Sequence, residues 1–160
     1  MRQAKYRATG RRDTATLAAS LVPHLRPGDV VLLIGTLGSG KTSFVQDVAA
    51  ALGATDSPTS PTFTLANFHE GTKLTLLHVD TYRLQDLREF RDLGLEDFMD
   101  DCVTFVEWGD LVASEFPEHL RVQIDLLDDD DARDFTISSR SSRWDPVIEH
   151  LRRGHLRTVS

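Results

Sequence analysis

The chain has 160 residues, of which 40% are hydrophobic and 27% are charged, so we expect one globular domain over residues 1–160 with a substantial core. Its net charge of −7 argues against independent binding to a nucleic-acid backbone, which requires basic surface. The sequence has no membrane-length apolar run and no signal-peptide core, and its single cysteine, Cys102, excludes an internal disulfide, so we expect a cytoplasmic protein.

The first half of the chain alternates predicted strands and helices. "AKYRATG" predicts a short edge strand, and the leucines at positions 17, 21 and 25 have helical spacing. "VVLLIG" is typical of a strand that is buried on both faces. A glycine-rich turn follows it, and "KTSFVQDVAAALG" predicts a helix that ends at Gly53.

The second half continues this alternation. "FTLANFHEGTKLTLLHVD" predicts two strands joined by a turn at residues 70–73, and "RLQDLREFRDLGLEDFMD" predicts helix broken near Gly94. "CVTFVEW", "HLRVQIDLL" and "RDFTISS" predict three further strands, and "SRWDPVIEHLRRG" a closing helix. The order predicts an α/β fold, a three-layer sandwich with a mostly parallel central sheet. The glycine-rich turn between "VVLLIG" and the next helix has the sequence G-T-L-G-S-G-K-T, which makes this the P-loop NTPase type.

The glycine-rich turn, residues 35–42, fits the pattern G-x-x-x-x-G-K-[ST] in full. Glycines let successive backbone N–H groups point at a phosphate, and the following helix adds its N-terminal donors. The lysine of this motif reaches the β- and γ-phosphates, and the hydroxyl binds Mg²⁺. The positions that we expect to bind the nucleotide here are Gly35, Leu37, Gly38, Ser39, Gly40, Lys41 and Thr42.

Two predicted strands end in a carboxylate, "LTLLHVD" at Asp80 and "VTFVE" at Glu107. In P-loop proteins a carboxylate at a neighbouring strand end completes the magnesium site. Either residue fits this role, and the alternative for each is a helix cap. The guanine-reading pattern N-K-x-D is absent from the sequence, which favours ATP over GTP.

Four motifs, "GTLGSGKTSF", "SPTSPTFTL", "HVDTYRL" and "VEWGD", occur in this order. Together they resemble the TsaE family, small bacterial P-loop ATPases of tRNA threonylcarbamoyladenosine synthesis. The resemblance extends from the first helix to about Ile137. The sequence departs from the usual family pattern at Thr36 and Ser39, which are variable positions of the loop, so phosphate binding is expected to survive.

The resemblance implies roles for four residues in the chemistry. Lys41 and Thr42 are the loop ligands, with Thr42 on Mg²⁺, and Glu107 is the second magnesium residue. Asp80 is the carboxylate that hydrolysis requires, and it orients or deprotonates the attacking water or holds a magnesium-bound water.

The resemblance also implies contacts around the nucleotide. Thr62 lies in a mobile loop comparable to a GTPase switch, and Trp108 lies beside the site. Thr14 and Arg133 match regions that approach the adenine. The alternatives are an ordinary core tryptophan at Trp108 and a proline-stiffened loop around Thr62.

The family resemblance implies ATP and Mg²⁺ as cofactors and TsaB and TsaD as protein partners, with tRNA contacted only indirectly through them and no membrane partner. The expected activity is a Mg²⁺-dependent ATPase that is weak alone and drives the TsaB–TsaD complex through its cycle. Two other functions stay open, a small-molecule P-loop kinase and a nucleotide-gated binding module with negligible catalysis.

Overall fold

The fold is built on one seven-stranded sheet. The computed structural model describes residues 2–55, 65–129 and 131–153, and the spatial order of the strands is β1-β7-β6-β2-β5-β4-β3. The strands are Arg2–Ala8 (β1), Val30–Ile34 (β2), Ala66–Glu70 (β3), Thr75–Asp80 (β4), Cys102–Glu107 (β5), Leu120–Leu126 (β6) and Arg133–Ser139 (β7).

The centre of the sheet is parallel. Strand β2 pairs in parallel with β5 and β6, and β4 pairs in parallel with β5. The outer strands β1, β7 and β3 are antiparallel to their neighbours. The predicted α/β fold with a mostly parallel central sheet is therefore confirmed, and the antiparallel pairings lie on the two sides of the parallel centre.

The helices cover both faces of this sheet. The α-helices are Arg11–Leu21 (α1), Lys41–Ala51 (α2), Leu87–Asp92 (α3), Glu96–Met99 (α4) and Asp145–Arg153 (α5), and 3₁₀ turns span Val22–His24, Gly109–Glu115 and Ser142–Trp144. The predicted break near Gly94 is confirmed, because Gly94 separates α3 from α4 with φ +68°. No helix in the described ranges is long and apolar enough to span a membrane.

Two apolar clusters hold the layers together, one on each face of the sheet. The first cluster contains side chains of α1, α2 and α5, and the second contains side chains of α3, α4 and the 109–115 turn. Cys102 is buried in the second cluster, and this burial raises the pKa of its thiol. The structure is therefore a three-layer α/β/α sandwich.

The alternation of side chains along the strands decides which residues face α2. Leu76 on β4 and Phe105 on β5 belong to the cluster that contains α2. Because side chains alternate with a period of two, His78, Asp80 and Glu107 lie on this same face. Asp80 pairs with Glu107 and Leu33 pairs with Glu107 in the parallel registers, so the carboxyl ends of β4, β5 and β2 lie side by side.

Gly109 fixes the chain just after β5, where a side chain has no room. A Cβ atom at this position would lie 2.5 Å from Cβ of Leu32 and 3.0 Å from its Cα. Leu32 is fully buried in the centre of β2. The close approach of these two segments therefore requires glycine.

We predict that Gly109→Ala lowers the free energy of unfolding by about 1–3 kcal/mol, the usual cost of overpacking a core. Gly10→Ser is the matched control, because Gly10 is the N-cap of α1 with an extended backbone, a Cβ there meets no atom within 4 Å, and serine is a favoured N-cap residue. Chemical denaturation of the two variants measures the difference. Equal stability of the two variants would contradict the packing argument.

Candidate functional site

The glycine-rich loop connects β2 to α2 as a tight turn. A Cβ atom on Gly35 would lie 2.5 Å from Ser39 Oγ and 2.6 Å from the carbonyl oxygen of Ile124. The loop closes on itself through a hydrogen bond from the Ser39 N–H to the Thr36 carbonyl at 3.0 Å. Gly40 has φ +107° and provides no side-chain cap for α2, so the first N–H groups of this helix have no acceptor from its N-cap residue.

Lys41 is folded into this loop and is only 4% exposed. Its Nζ donates to the carbonyl oxygens of Gly35 at 2.6 Å and Thr36 at 2.9 Å. The same ammonium lies 4.0 Å from the ring centroid of Trp108, a cation–π geometry. Burial lowers the pKa of Lys41, while the nearby carboxylates of Glu107 and Asp80 act in the opposite direction. The loop therefore holds a desolvated cation beside two strand-end carboxylates.

Thr42 and Glu107 form the polar centre of the site. The Thr42 hydroxyl donates to Glu107 and lies 2.8 Å from Oε2 and 3.0 Å from Oε1. Glu107 is 4% exposed at the end of β5, and its Oε2 is also 2.5 Å from Nε2 of His78. Two hard oxygen ligands of the kind that Mg²⁺ prefers thus meet at the start of α2.

Asp80 ends the neighbouring strand and lies partly exposed beside this centre. Its Oδ1 accepts a hydrogen bond from the Tyr82 N–H at 3.0 Å. The hydroxyl of Thr81 lies 2.9 Å from the carbonyl oxygen of Glu107 and 3.0 Å from that of Trp108. Thr81 therefore ties the chain after β4 to the end of β5 and holds the two carboxylate-bearing strand ends together.

Trp108 lies on one flank of the loop. It adopts the left-handed conformation with φ 61°, and its ring is 5.1 Å from the Tyr82 ring. It shares a surface depression with Gly35 and Thr36. Trp108 thus lies against Lys41 and the glycine-rich loop, and its contact with a nucleotide stays a prediction.

A second depression lies on another flank of the loop, and Thr14 and Arg133 both line it together with Ser39 and Gly40. The guanidinium Nε of Arg133 donates to the Ser39 carbonyl at 2.9 Å. This hydrogen bond joins Arg133 to Ser39, which are 94 positions apart in the chain. Leu37 is 74% exposed in the loop, so its predicted contribution to anion binding is through its backbone N–H. Thr62 lies outside the described residues.

Two residues of the site were missed by the sequence reasoning. His78 contacts Glu107, and Thr81 bridges the strand ends. The signal for His78 was available, because it precedes Asp80 by two residues in a strand and so shares its face, and because an ionisable side chain interrupts an apolar run. The sequence around Thr81 does not indicate its role, since its partners are backbone carbonyls 26 and 27 positions further along the chain.

A parallel sheet with a glycine-rich loop after a central strand, a lysine folded into the loop and a threonine–glutamate pair define the P-loop NTPase class. The family model described as "Threonylcarbamoyl adenosine biosynthesis protein TsaE" matches residues 8–135. The chain therefore belongs to the TsaE family, as the sequence motifs indicated.

Individual relatives agree with this membership. The chain is 37% identical over 155 residues to the tRNA threonylcarbamoyladenosine biosynthesis protein TsaE of Bacillus subtilis, covering 96% of each chain. It is 40% identical over 135 residues to the TsaE of Streptomyces coelicolor, covering 80% of this chain and 91% of the relative. The crystal structure of Bacillus subtilis YdiB superposes with a TM-score of 0.73 at 32% identity, covering 94% of each chain.

The buried Lys41 gives a pH dependence that can be measured. Because burial lowers its pKa in the folded state, the unfolded chain binds more protons, and this contribution to stability rises with pH until the unfolded pKa of about 10.4 is reached. Lys41→Met has no such contribution.

We predict that the wild type gains stability relative to Lys41→Met as the pH rises through the alkaline range toward that value. The melting temperature of Lys41→Met minus that of the wild type should therefore decrease with pH.

Differential scanning calorimetry of the nucleotide-free proteins at a series of pH values measures this difference. Lys5→Met removes one positive charge at an exposed position of β1 and serves as the control. A difference that grows with pH, or one that follows the Lys5→Met control, would contradict the assignment of a desolvated ammonium.

Proposed function

We propose that this chain is the Mg²⁺-dependent ATPase of the tRNA threonylcarbamoyladenosine machinery and drives a TsaB–TsaD complex through its cycle. The observation that carries the proposal is the convergence of Lys41, Thr42 and Glu107 at the adjoining ends of β2 and β5. Family membership supports the pathway, and the chemistry is inferred from these side chains.

The loop fits the triphosphate of ATP. The close approach at Gly35 and the positive φ of Gly40 give the tight backbone turn that directs N–H groups toward an anion. Lys41 supplies a desolvated cation, and its contacts with the carbonyls of Gly35 and Thr36 are the ones it exchanges for phosphate oxygens. The flank lined by Thr14 and Arg133 is the proposed position of the adenine.

Thr42 and Glu107 fit a magnesium ion that accompanies the nucleotide. Their oxygens are already within 2.8 Å of one another, and a hydroxyl with a carboxylate is the donor set that Mg²⁺ accepts in P-loop proteins. A bound Mg²⁺ neutralises the negative charge of the phosphates. The protein's part is to keep the Thr42 hydroxyl and the buried Glu107 carboxylate aligned at the start of α2.

Asp80 is proposed to serve the hydrolytic step. It is the strand-end carboxylate next to Glu107 in the sheet register, and it is more exposed than Glu107, so water reaches it. Its Oδ1 is oriented by the Tyr82 N–H. This leaves the carboxylate positioned to orient or deprotonate a water molecule, or to hold a water of the magnesium shell.

The net charge of −7 supports a division of labour in which the partners hold the tRNA, since an acidic protein binds a polyanion poorly. Thr62, which lies outside the described residues, is proposed to take part in the hydrolytic step, as the family resemblance implies. Phosphoryl transfer depends on positioning and charge stabilisation, so we expect contacts with the partners to accelerate a turnover that is slow in the isolated protein.

We predict that the isolated protein hydrolyses ATP slowly and that addition of TsaB and TsaD accelerates it. Steady-state phosphate release with each partner alone and with both together measures the effect, and Lys41→Ala in the full mixture reports any ATPase that belongs to the partners. Rapid hydrolysis that the partners leave unchanged would contradict the proposal. Transfer of label from ATP to a metabolite without partners would instead favour a small-molecule kinase.

We predict different defects when the two carboxylates are neutralised. Asp80→Asn should lower turnover by about 10²–10⁴, the usual cost of losing a general base or a water-orienting group, with a much smaller change in ATP affinity, because Lys41 and the loop amides remain. Glu107→Gln should raise the Mg²⁺ concentration required for ATP binding, because a hard cation prefers a charged oxygen ligand.

ATP affinity, Mg²⁺ titrations and turnover of both variants in the assembled complex test this pair of predictions. The two roles are reversed if Asp80→Asn turns over normally and shifts the Mg²⁺ requirement. Normal function of the complex without ATP hydrolysis in Asp80→Asn would favour a nucleotide-gated binding module.

A further inference from the structure

His78 is a fully buried histidine that contacts the proposed magnesium ligand. It lies in β4 two residues before Asp80, with its side chain on the α2 face of the sheet. Its Nε2 is 2.5 Å from Oε2 of Glu107. The same Oε2 is 2.8 Å from the Thr42 hydroxyl. His78, Glu107 and Thr42 therefore form one buried hydrogen-bonded chain from β4 through β5 to α2.

The geometry gives the direction of the hydrogen bond between His78 and Glu107. A carboxylate only accepts hydrogen bonds, so Nε2 of His78 donates to Oε2. The other ring nitrogen, Nδ1, is buried and has no hydrogen-bond partner among the described residues. The contact with Glu107 is therefore the hydrogen bond that positions the ring relative to the site.

An imidazole N–H suits the neighbour of a metal ligand better than a lysine or arginine side chain does. Lysine or arginine at this position would neutralise Glu107 and compete with a divalent ion for its charge. The imidazole N–H instead fixes one carboxylate oxygen and leaves the negative charge in place. Hydrogen bonds to ligating carboxylates orient them and tune their basicity.

We propose that His78 is a positioning residue that holds the Glu107 carboxylate in register with the Thr42 hydroxyl and so sets the affinity of the site for Mg²⁺. The proposal rests on the proposed function, since it requires Thr42 and Glu107 to bind that ion. His78 touches neither nucleotide nor metal in this account and acts only through Glu107.

Substitutions that place a hydrogen-bond donor at different distances from Cβ distinguish this positioning role from a purely structural one. A purely structural role does not depend on whether the donor reaches Glu107. Glutamine carries its amide nitrogen the same number of bonds from Cβ as Nε2 of histidine, whereas asparagine places its amide nitrogen at the distance of Nδ1. His78→Gln therefore retains a donor toward Glu107, and His78→Asn does not. His78→Leu keeps an apolar side chain in the core and removes every donor.

The matched control is Thr104→Val. Thr104 is fully buried on β5, next to β4, and its hydroxyl has no hydrogen-bond partner among the described residues. Its side chain lies on the opposite face of the strand from Glu107, because the two residues are three positions apart. The substitution changes a buried polar group near His78 and leaves the chain from His78 to Thr42 intact.

The test is a Mg²⁺ titration of the binding of a fluorescent ATP analogue to each purified full-length variant, with binding also measured in EDTA. We expect His78→Leu and His78→Asn to raise, by about 10–100-fold, the Mg²⁺ concentration that gives half of the maximal increase in analogue binding. His78→Gln should recover most of this loss, and Thr104→Val should match the wild type. Binding in EDTA should be equal in all variants, because Lys41 and the loop amides are unchanged.

Wild-type Mg²⁺ dependence in both His78→Leu and His78→Asn would overturn the proposal, as would equal defects in His78→Asn and His78→Gln. A parallel loss of binding in EDTA would also overturn it, because the effect would then not concern the metal. If His78→Leu does not fold, the comparison of asparagine with glutamine decides. If the wild-type protein binds the ATP analogue independently of Mg²⁺, the proposed magnesium site itself is contradicted. This outcome is distinct from a failure of the proposal for His78 alone.

Discussion

The hydrogen bond between the Thr42 hydroxyl and the Glu107 carboxylate is the contact on which the account depends. It joins residues 65 positions apart and brings the first turn of α2 to the end of β5. It requires β2 and β5 to be parallel neighbours in the observed register, and it requires Glu107 to lie on the α2 face. The close packing of Gly109 on Leu32 and the bridge from Thr81 to the carbonyls of residues 107 and 108 maintain this geometry.

The site concentrates groups that are unfavourable to bury. An ammonium, a carboxylate and an imidazole lie almost wholly inside the protein, and one imidazole nitrogen has no hydrogen-bond partner within the part of the chain that the structure describes. Each is tolerated because a neighbour satisfies it in part: loop carbonyls and the Trp108 ring serve Lys41, and Thr42 and His78 serve Glu107. Such arrangements are typical of functional sites, where stability is sacrificed for activity.

The sequence allowed the fold and the centre of the site to be predicted, because both depend on local patterns. The strand–loop–helix around Lys41 and the carboxylates at the ends of β4 and β5 follow from periodicity and motif spacing. The contact of Arg133 with Ser39 and the role of Thr81 were not derivable, since each depends on how distant strands are ordered in the sheet. Arg133 is predicted only by the resemblance to the family, and the position of His78 in β4 predicts its face of the sheet but not its contact with Glu107.

The most direct test of the central claim is a crystal structure of the protein with Mg²⁺ and a non-hydrolysable ATP analogue. We predict that the Thr42 hydroxyl binds the ion at about 2.0–2.1 Å, the usual Mg²⁺–oxygen distance. We also predict that Glu107 binds the ion directly or through one water, and that Lys41 has exchanged the carbonyls of Gly35 and Thr36 for phosphate oxygens. Nucleotide bound away from the loop, or a metal ion held by neither Thr42 nor Glu107, would contradict the central claim.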